Sequence, residues 1–462
     1  MRNIAVIGSG QAGLLAAIAL LKAGYRVTLY SDRTPEQWMT ESRPTGTATR
    51  FDMSLQFEYE LDLNSWENDA PWIDGLHTTM CPTPGNRLLT LAGRTRRPAL
   101  AIDLRLQSCA WMKEFTKRGG RIEIEKVSVA RLDEISAEND LTIVATGKAD
   151  LTNLFPRNPE RSTFDKPPRH LAMLCVKDLP MGFDGIPLLP VKLNIIGGMG
   201  EIFFVPYFHK DVGQSWNIVF EAVPGGPLDR FEGATSGEQV LQIGKQLIRE
   251  FAPWDYNWFK GAQLSDPLGW LVGKFAPTVR VPVGKLPSGR VVTAVGDAAM
   301  TLDPIGGQGA NSGNKMVRNL VECVIARGDK PFDSQWMIDS FERFYARHGQ
   351  AIYTMVHGML GPPAAAVRDL LFAQYGSDGR FDNETPSQIL ANAFAESVND
   401  PAEMLPLMQD SRKMHAFIEK VTGRSWIRSV ASGAMSVAWE EFRQWRGLEP
   451  RHPLVPAYKV AA

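Results

Sequence analysis

The chain has little of what builds metal or redox centres. Its 462 residues include only four cysteines and seven histidines. Cys81, Cys109, Cys175 and Cys323 stand too far apart for a CxxC pair or a Cys/His zinc spacing. That spacing argues against a disulfide framework or a structural zinc and leaves the thiols as small core hydrophobes, with no metal expected and a reducing, cytoplasmic setting. An excess of one charge is also missing: 50 Lys and Arg against 51 Asp and Glu leave a net charge of -1. With no dense basic run either, neither nucleic acid nor a membrane is an expected partner. No run of about 18 consecutive apolar residues occurs, and the first residues enter a strand pattern without the charged segment and cleavage site of a secretion signal.

What the chain does have begins at once. RNIAVIGSGQAG, residues 2–13, sets a short apolar run directly before Gly8-x-Gly10-x-x-Gly13, with an Ala/Leu-rich helical pattern behind it. The spacing has a mechanism: Gly8 allows a tight strand-to-helix turn, Gly10 lets a pyrophosphate approach the backbone, and Gly13 lets helix and strand pack closely. Gln11 and Ala12 then open a helix whose free N–H groups meet the phosphate charge. A second strand at 25–30 completes a βαβ unit. This much predicts a dinucleotide site and leaves FAD and NAD(P) both open.

Length favours more than one domain. Residues 34–93, rich in Pro, Thr, Asn and Trp, read as loops and short elements. A helix is expected over 104–119, a strand over 121–129 and a buried strand over 140–147. From 169 to 223 strand-like runs alternate with Gly, Pro and Asp clusters, as in an inserted antiparallel sheet; a helix follows at 240–251, and beyond 331 helical spacing dominates. The expected architecture is α/β: a Rossmann-like FAD-binding domain (residues 1–168 and 286–330), an inserted β-sheet substrate domain (169–285) and a helical C-terminal region (331–462).

The segment that discriminates between cofactors lies at 291–311. VVTAVGDAA followed by DPIGGQGAN is a strand, Gly296-Asp297, and a glycine-rich turn into a helix. Asp297 at a strand end can accept a hydrogen bond from a ribityl hydroxyl. The turn and the helix start, from Pro304 through Gly306, Gly307, Gln308, Gly309 and Ala310 to Asn311, present N–H groups and a dipole suited to negative charge on a flavin ring. A nicotinamide enzyme needs no such second site, so the nucleotide is read as FAD.

Together, GxGxxG, the ATG at 145–147 and GD…PxGGQGAN resemble the FAD-dependent aromatic-hydroxylase superfamily. Within it, VTLYSDRTPEQW (27–38), ELDLNSW (60–66), AIDLRL (101–106), RGGRIE (118–123), DLTIVATGKADL (140–151) and GEIFFVP (200–206) are similar to the oxygenase component of styrene and indole monooxygenases. The likeness spans about residues 4–327. It implies that one atom of O2 enters a small apolar aromatic or alkene substrate by way of a flavin C4a-hydroperoxide, in a site that orients the substrate and excludes water. It also implies that Arg43, Gly46 and Thr47 lie near the flavin with Pro304, and that Arg105 and Gln107 contact the cofactor. A surface ion pair is the alternative for Arg43 and Arg105. Phe203, Val205 and Tyr207, with Phe208, are candidates for a substrate roof, core packing being the alternative.

The chain departs from its relatives in three places. Ser31 stands where many relatives carry an acid for the adenosine ribose, leaving Asp32 and Arg33 beside it. Thr146-Gly147 replaces the Asp-Gly pair of single-component hydroxylases, which favours reduced flavin from a separate NADH-dependent reductase. Arg43-Pro44-Thr45-Gly46-Thr47 lacks the asparagine of the styrene-type pocket. The competing readings are a single-component NAD(P)H-dependent hydroxylase and a flavin-linked reductase of isoprenoid double bonds. Trp254 to Trp258 fails the W-x-W-x-I-P spacing of flavin halogenases and reads as packing. The stripe Trp439, Phe442, Trp445 likewise reads as packing, and His77 and His209 as solvated or hydrogen-bonded loop residues. A homodimer is the expected assembly.

Overall fold

The computed structural model describes residues 2–147 and 149–448; Lys148 of the 140–151 stretch and the end of the expected helical region, 449–462, lie outside them. The described chain divides into two compact units, each gathered from three separate stretches.

The first unit comprises residues 2–67, 102–168 and 275–356. Its sheet runs in the order Val283–Lys285, Val291–Ala294, Leu141–Val144, Asn3–Ile7, Arg26–Ser31, Arg121–Ile124. Asn3–Ile7 pairs in parallel with a neighbour on each side, and Ile4, Ala5 and Val6 are fully buried. A strand buried on both faces shows continuous apolar residues rather than alternation, which is why IAVI reads as a run. Helix Gln11–Lys22 buries Gly13 to Leu20 without a break. The strand expected over 121–129 stops at Ile124, and a helix, Val129–Glu138, begins where Ser128 caps it by accepting from the Arg131 N–H. The V-S-V alternation in the cap had mimicked a strand.

The second unit comprises residues 68–101, 169–274 and 357–448. Its sheet runs Gln263–Leu264, His170–Lys177, Gly213–Ala222, Gly200–His209, Pro190–Ile196, Ile73–Cys81, Leu89–Ala101, with Trp270–Lys274 also on His170–Lys177. Ile73–Cys81 is parallel to Pro190–Ile196, so the sheet is mixed rather than purely antiparallel. Two of its strands come from the stretch read as loops. The pattern hid them because their polar residues are inside: His77, Thr78 and Thr79 are buried. Nor do residues 331–448 form one helical region, since the first unit takes them to 356 and the second takes the rest.

Helices Gly237–Phe251 and Pro253–Phe259 cover one sheet face through Leu174, Phe204, Trp216, Phe220, Leu247 and Phe259. Trp258 belongs to this layer, its ring centroid 4.9 Å from that of Trp216. Beneath it the buried Lys192 ammonium contacts both Asp255 carboxylate oxygens at 2.5 Å. The outer side of strand residues 92–96 is closed by helix Pro386–Glu396. Its Gln388 donates to the Ala92 carbonyl (2.8 Å), while Asn392 and Glu396 accept from the Arg94 and Arg96 N–H groups at 2.8 and 2.7 Å. Three side chains spaced four residues apart thus cover an edge that would otherwise recruit another strand.

His357, partly buried in this unit, has its pKa lowered by desolvation to about 4. A histidine depressed in the folded state favours the neutral form, so stability is full above the unfolded value near 6.5 and falls as pH drops toward 4. The loss is at most ~3 kcal/mol, reduced by partial exposure. Chemical denaturation of wild type and His357→Gln between pH 7 and 4 should show a shallower acid limb in the variant.

Candidate flavin site

Strands and helices of the first unit meet around the Gly8–Gly13 turn. Gly8 has φ +112°, and a Cβ there would lie 2.9 Å from the Ala145 carbonyl oxygen; one on Gly13 would lie 1.9 Å from the Gly8 carbonyl oxygen. At Gly10 a Cβ would meet nothing within 4 Å. The two outer glycines therefore serve close packing, and the middle one faces open space, as a pyrophosphate approach requires. Gly10→Ala, allowed by the φ of -76°, should leave the melting temperature within about 2 °C of wild type while weakening FAD binding by about tenfold or more, read by flavin fluorescence titration. Gly13→Ala should disturb the fold itself.

The strand end carrying Thr146 and Gly147 lies beside this turn, with a Gly147 Cβ position 4.0 Å from the Asp297 Cβ. Gly296, at φ +61°, packs against Ala12. Asp297 is open to water, yet the protein around it forms a recess deep enough to raise its carboxyl above the ordinary range, against the pull of Arg280. The Arg280 Nη1 donates to the Asp297 carbonyl oxygen at 3.1 Å. Asp303 accepts from the Ile305 N–H, Gly307 turns the chain at φ +62°, and helix Gln308–Arg327 starts there without a side-chain cap. Pro304, Gly307, Gly309 and Ala310 keep surface exposed, whereas Gly306 and Gln308 are buried and the Gln308 Nε2 donates to the Gly306 carbonyl.

Two of the expected cofactor contacts are spent on the protein. The Asn311 Oδ1 accepts from the Phe51 N–H (2.9 Å), and its Nδ2 donates to the Thr49 and Gly307 carbonyls at 2.9 and 2.8 Å. Its side chain fixes the segment after Thr47 rather than reaching for a ligand. The Ser31 hydroxyl is buried, 2.6 Å from the Ser9 Oγ, and donates to the Arg33 carbonyl; the Trp38 Nε1 donates to Ser9. Ser31 is thus a turn anchor. Asp32 is forked by the Arg33 guanidinium at 3.1 and 3.0 Å, which itself lies over the Trp38 ring.

Arg105 is fully buried, so the surface ion pair is excluded for it. Asp103, which caps helix Leu104–Lys117, holds it at 2.7 Å. Arg43 and Thr45 are exposed, with Gly46 and Thr47 partly so, in an irregular loop. A chain of buried polar groups ties that loop down. The Arg50 Nη1 donates to the Ala48 carbonyl (2.8 Å), the Arg50 Nε lies 2.6 Å from the Glu58 Oε1, the Asn314 Nδ2 donates to the same oxygen (2.9 Å), and the Gln11 Nε2 donates to the Asn314 Oδ1 (2.6 Å). Burial raises the Glu58 carboxyl, with Arg50 opposing. Sequence reasoning missed Ser9, Trp38, Arg50, Glu58, Asp103 and Asn314; only D-x-R at 103–105 and N-x-x-N at 311–314 carried a local signal.

Gln107 is fully buried with neither amide atom hydrogen-bonded. An orphaned buried amide is costly, and with no accessible surface it stands behind the site wall rather than open to a ligand. The space at Gly10 and two uncapped helix starts fit FAD.

Phe203, Val205 and Tyr207 are buried in the second unit, on the sheet face opposite Phe204 and the covering helices, paired with Val219, Asn217 and Ser215. Phe208 has the parity of Phe204 and points to the helix side. His77 and His209 are buried strand residues, not loop residues; His209 Nε2 is 2.7 Å from Asp266, and its Nδ1 accepts from the Asp211 N–H. Among the described residues no helix is long and apolar enough to cross a membrane.

Residues 147–257 match the family profile described as "Styrene monooxygenase A putative substrate binding domain". Styrene monooxygenase StyA of Pseudomonas fluorescens is 28% identical over 331 residues, 70% of this chain and 78% of its own. Among solved structures, a flavoprotein/dehydrogenase from Cytophaga hutchinsonii aligns with a TM-score of 0.62 at 13% identity, over 91% of this chain and 98% of that one. A variant of halogenase PltM in complex with FAD aligns at 0.58 and 12%, over 96% and 92%. These two likenesses speak for the fold alone. With the residue-level resemblance and a site that fits FAD, the chain is an FAD-dependent monooxygenase similar to the styrene monooxygenase oxygenases.

Proposed function

We propose that the chain is the oxygenase half of a two-component system: it takes reduced FAD from a separate NADH-dependent reductase and adds one oxygen atom from O2 to a small apolar aromatic or alkene substrate. The observation that carries this reading is the adenosine end of the site. Ser31 is locked into its turn and the Asp32 carboxylate is forked by Arg33, so the ribose meets no uncommitted acid there. A nucleotide held mainly by Gly8–Gly13 and the helix start can arrive reduced and leave oxidised.

Bound FAD supplies the activation of oxygen; the protein supplies placement. Gly10 and the helix N-terminus would hold the pyrophosphate, and Asp297 would accept from the ribityl chain. The Pro304–Ala310 turn offers N–H groups and a positive helix end to the ring. Phe203, Val205 and Tyr207, with Val219 beside them, give an apolar surface that orients an apolar substrate and keeps water out.

The test gives purified chain FAD, O2 and NADH, with and without an added flavin reductase, and screens styrenes, indoles and phenols for oxygenated products by mass spectrometry. Product only with the reductase supports the proposal. Product without it identifies a single-component hydroxylase, and reduction of isoprenoid double bonds under anaerobic conditions a reductase.

A further inference from the structure

Large apolar side chains exposed on this protein are concentrated at one place. Of the 13 found among the described residues, six lie between residues 427 and 448: Ile427, Met435, Trp439, Phe442, Trp445 and Leu448. The first five are on helix Trp426–Trp445. This corrects the packing role expected for Trp439, Phe442 and Trp445: Trp445 is 78% exposed and Trp439 56%.

The helix is anchored by its other side. Ser429, Gly433, Val437 and Glu440 are its buried residues. A Cβ on Gly433 would lie 1.9 Å from the Phe372 carbonyl oxygen, so the backbone sits directly on helix Ala365–Ala373, and the Gln444 Nε2 donates to the Arg87 carbonyl at 2.6 Å. With the inner face committed, Ile427, Ala431, Met435, Ala438, Phe442 and Trp445 fall in one outward row at ~100° per residue. The rings of Trp439, Phe442 and Trp445 follow one another at centroid separations of 5.6 and 5.8 Å. An outward apolar row of this length marks an interaction surface.

Charge selects the occupant. Arg424, Arg428 and Arg446 are exposed at the two ends of the row, and Glu441 is the one exposed carboxylate of the helix. Arg428 and Arg446 are about five full turns apart and so flank the row on the same side. Aromatic rings and aliphatic side chains on one face, with arginines beside them, are the composition of a helix lying in a lipid headgroup layer, where the guanidinium groups reach phosphates and the rings sit at the apolar boundary. We propose that the outer face of helix Trp426–Trp445 docks this protein on an anionic lipid surface. The chain's overall charge of -1 does not oppose this, because attraction to a charged bilayer is local, within a Debye length. Docking would hold the enzyme where apolar aromatic compounds concentrate; that consequence rests on the proposed substrate class, while the docking does not.

The experiment sediments the full chain, loaded with FAD, with vesicles of phosphatidylcholine alone or mixed with phosphatidylglycerol. Binding is expected to the mixed vesicles. Trp439→Glu should weaken it by about tenfold or more, and Arg428→Glu with Arg446→Glu by at least ~20-fold. Melting temperature and FAD affinity report that each variant is folded. Four results would overturn the proposal: no binding to either vesicle, equal binding to both, binding that appears only when the chain is ended at Leu448, or a dimer in solution that Trp439→Glu dissociates. The third would make the chain's own tail the occupant, and the fourth a second copy. Loss of monooxygenase activity on any substrate leaves these readouts unaffected, so the two proposals fail separately.

Discussion

Glu58→Ala is expected to lower the stability of the first unit by about 3–5 kcal/mol, the usual cost of stranding one partner of a buried ion pair, or roughly 10 °C in melting temperature. Arg50 and Glu58 are both almost wholly buried, 2.6 Å apart, so no water replaces the lost carboxylate. The Asn314 amide loses one of its two acceptors in the same step, keeping only the Ser54 carbonyl. The damage should reach the flavin, because Arg50 also holds the Ala48 carbonyl, and Ala48 sits at φ +48°. An alanine in that left-handed region is strained by about 1–2 kcal/mol and stays there only while its surroundings insist. Released, the 43–48 loop should relax and FAD affinity fall by about tenfold. Thermal unfolding and flavin titration measure the two effects. Arg50→Met with Glu58→Met, which removes both charges, should cost less than Glu58→Ala; a single variant melting within about 2 °C of wild type would refute the account.

Gln388→Ala should be nearly as severe, at about 3–4 kcal/mol, for a different reason. The Gln388 side chain is fully buried with all four hydrogen-bonding positions used: Oε1 accepts from the Asp378 and Gly379 N–H groups at 2.9 and 2.8 Å, and Nε2 donates to the Ala92 carbonyl and the Asn392 Oδ1 at 2.8 Å each. Alanine leaves three backbone groups without partners, each worth about 1–3 kcal/mol when buried. Because one of them belongs to the covered strand edge, the variant should also aggregate on heating. Light scattering during a thermal ramp checks this, and unchanged scattering with an unchanged midpoint would be the contrary result.

The candidate site residues read from the sequence share a property that the residues around them lack. Gly8, Gly10, Gly13, Asp297 and the 304–310 turn are neighbours in sequence because one strand-turn-helix presents each group, so spacing alone displays the chemistry. Glu58 and Asn314 act across 256 residues of chain, and no local pattern marks such a pair. Ser31 could be seen as a departure, but its inward turn toward Ser9 could not. In the fold, strands buried on both faces were legible when apolar, as at 3–7, and invisible when their interior was polar, as at 73–81. The outward stripe at 439–445 has the helical spacing of a packed face. Periodicity reports that a face is apolar and is silent on what lies against it.

The division of each unit among three stretches of chain has a consequence for synthesis. Strand Leu141–Val144 joins Asn3–Ile7 when it is made, but Val291–Ala294, which pairs with its other edge, is made almost 150 residues later. At ~5–20 residues per second the half-built sheet waits on the order of 7–30 s with an unpaired strand exposed. The second unit waits longer, since strand Leu89–Ala101 receives its cover only with Pro386–Glu396. Production of this enzyme in quantity should therefore depend on how well the cell shields nascent chains, and slower growth at low temperature with abundant chaperone should raise the soluble yield more than any change at the active site.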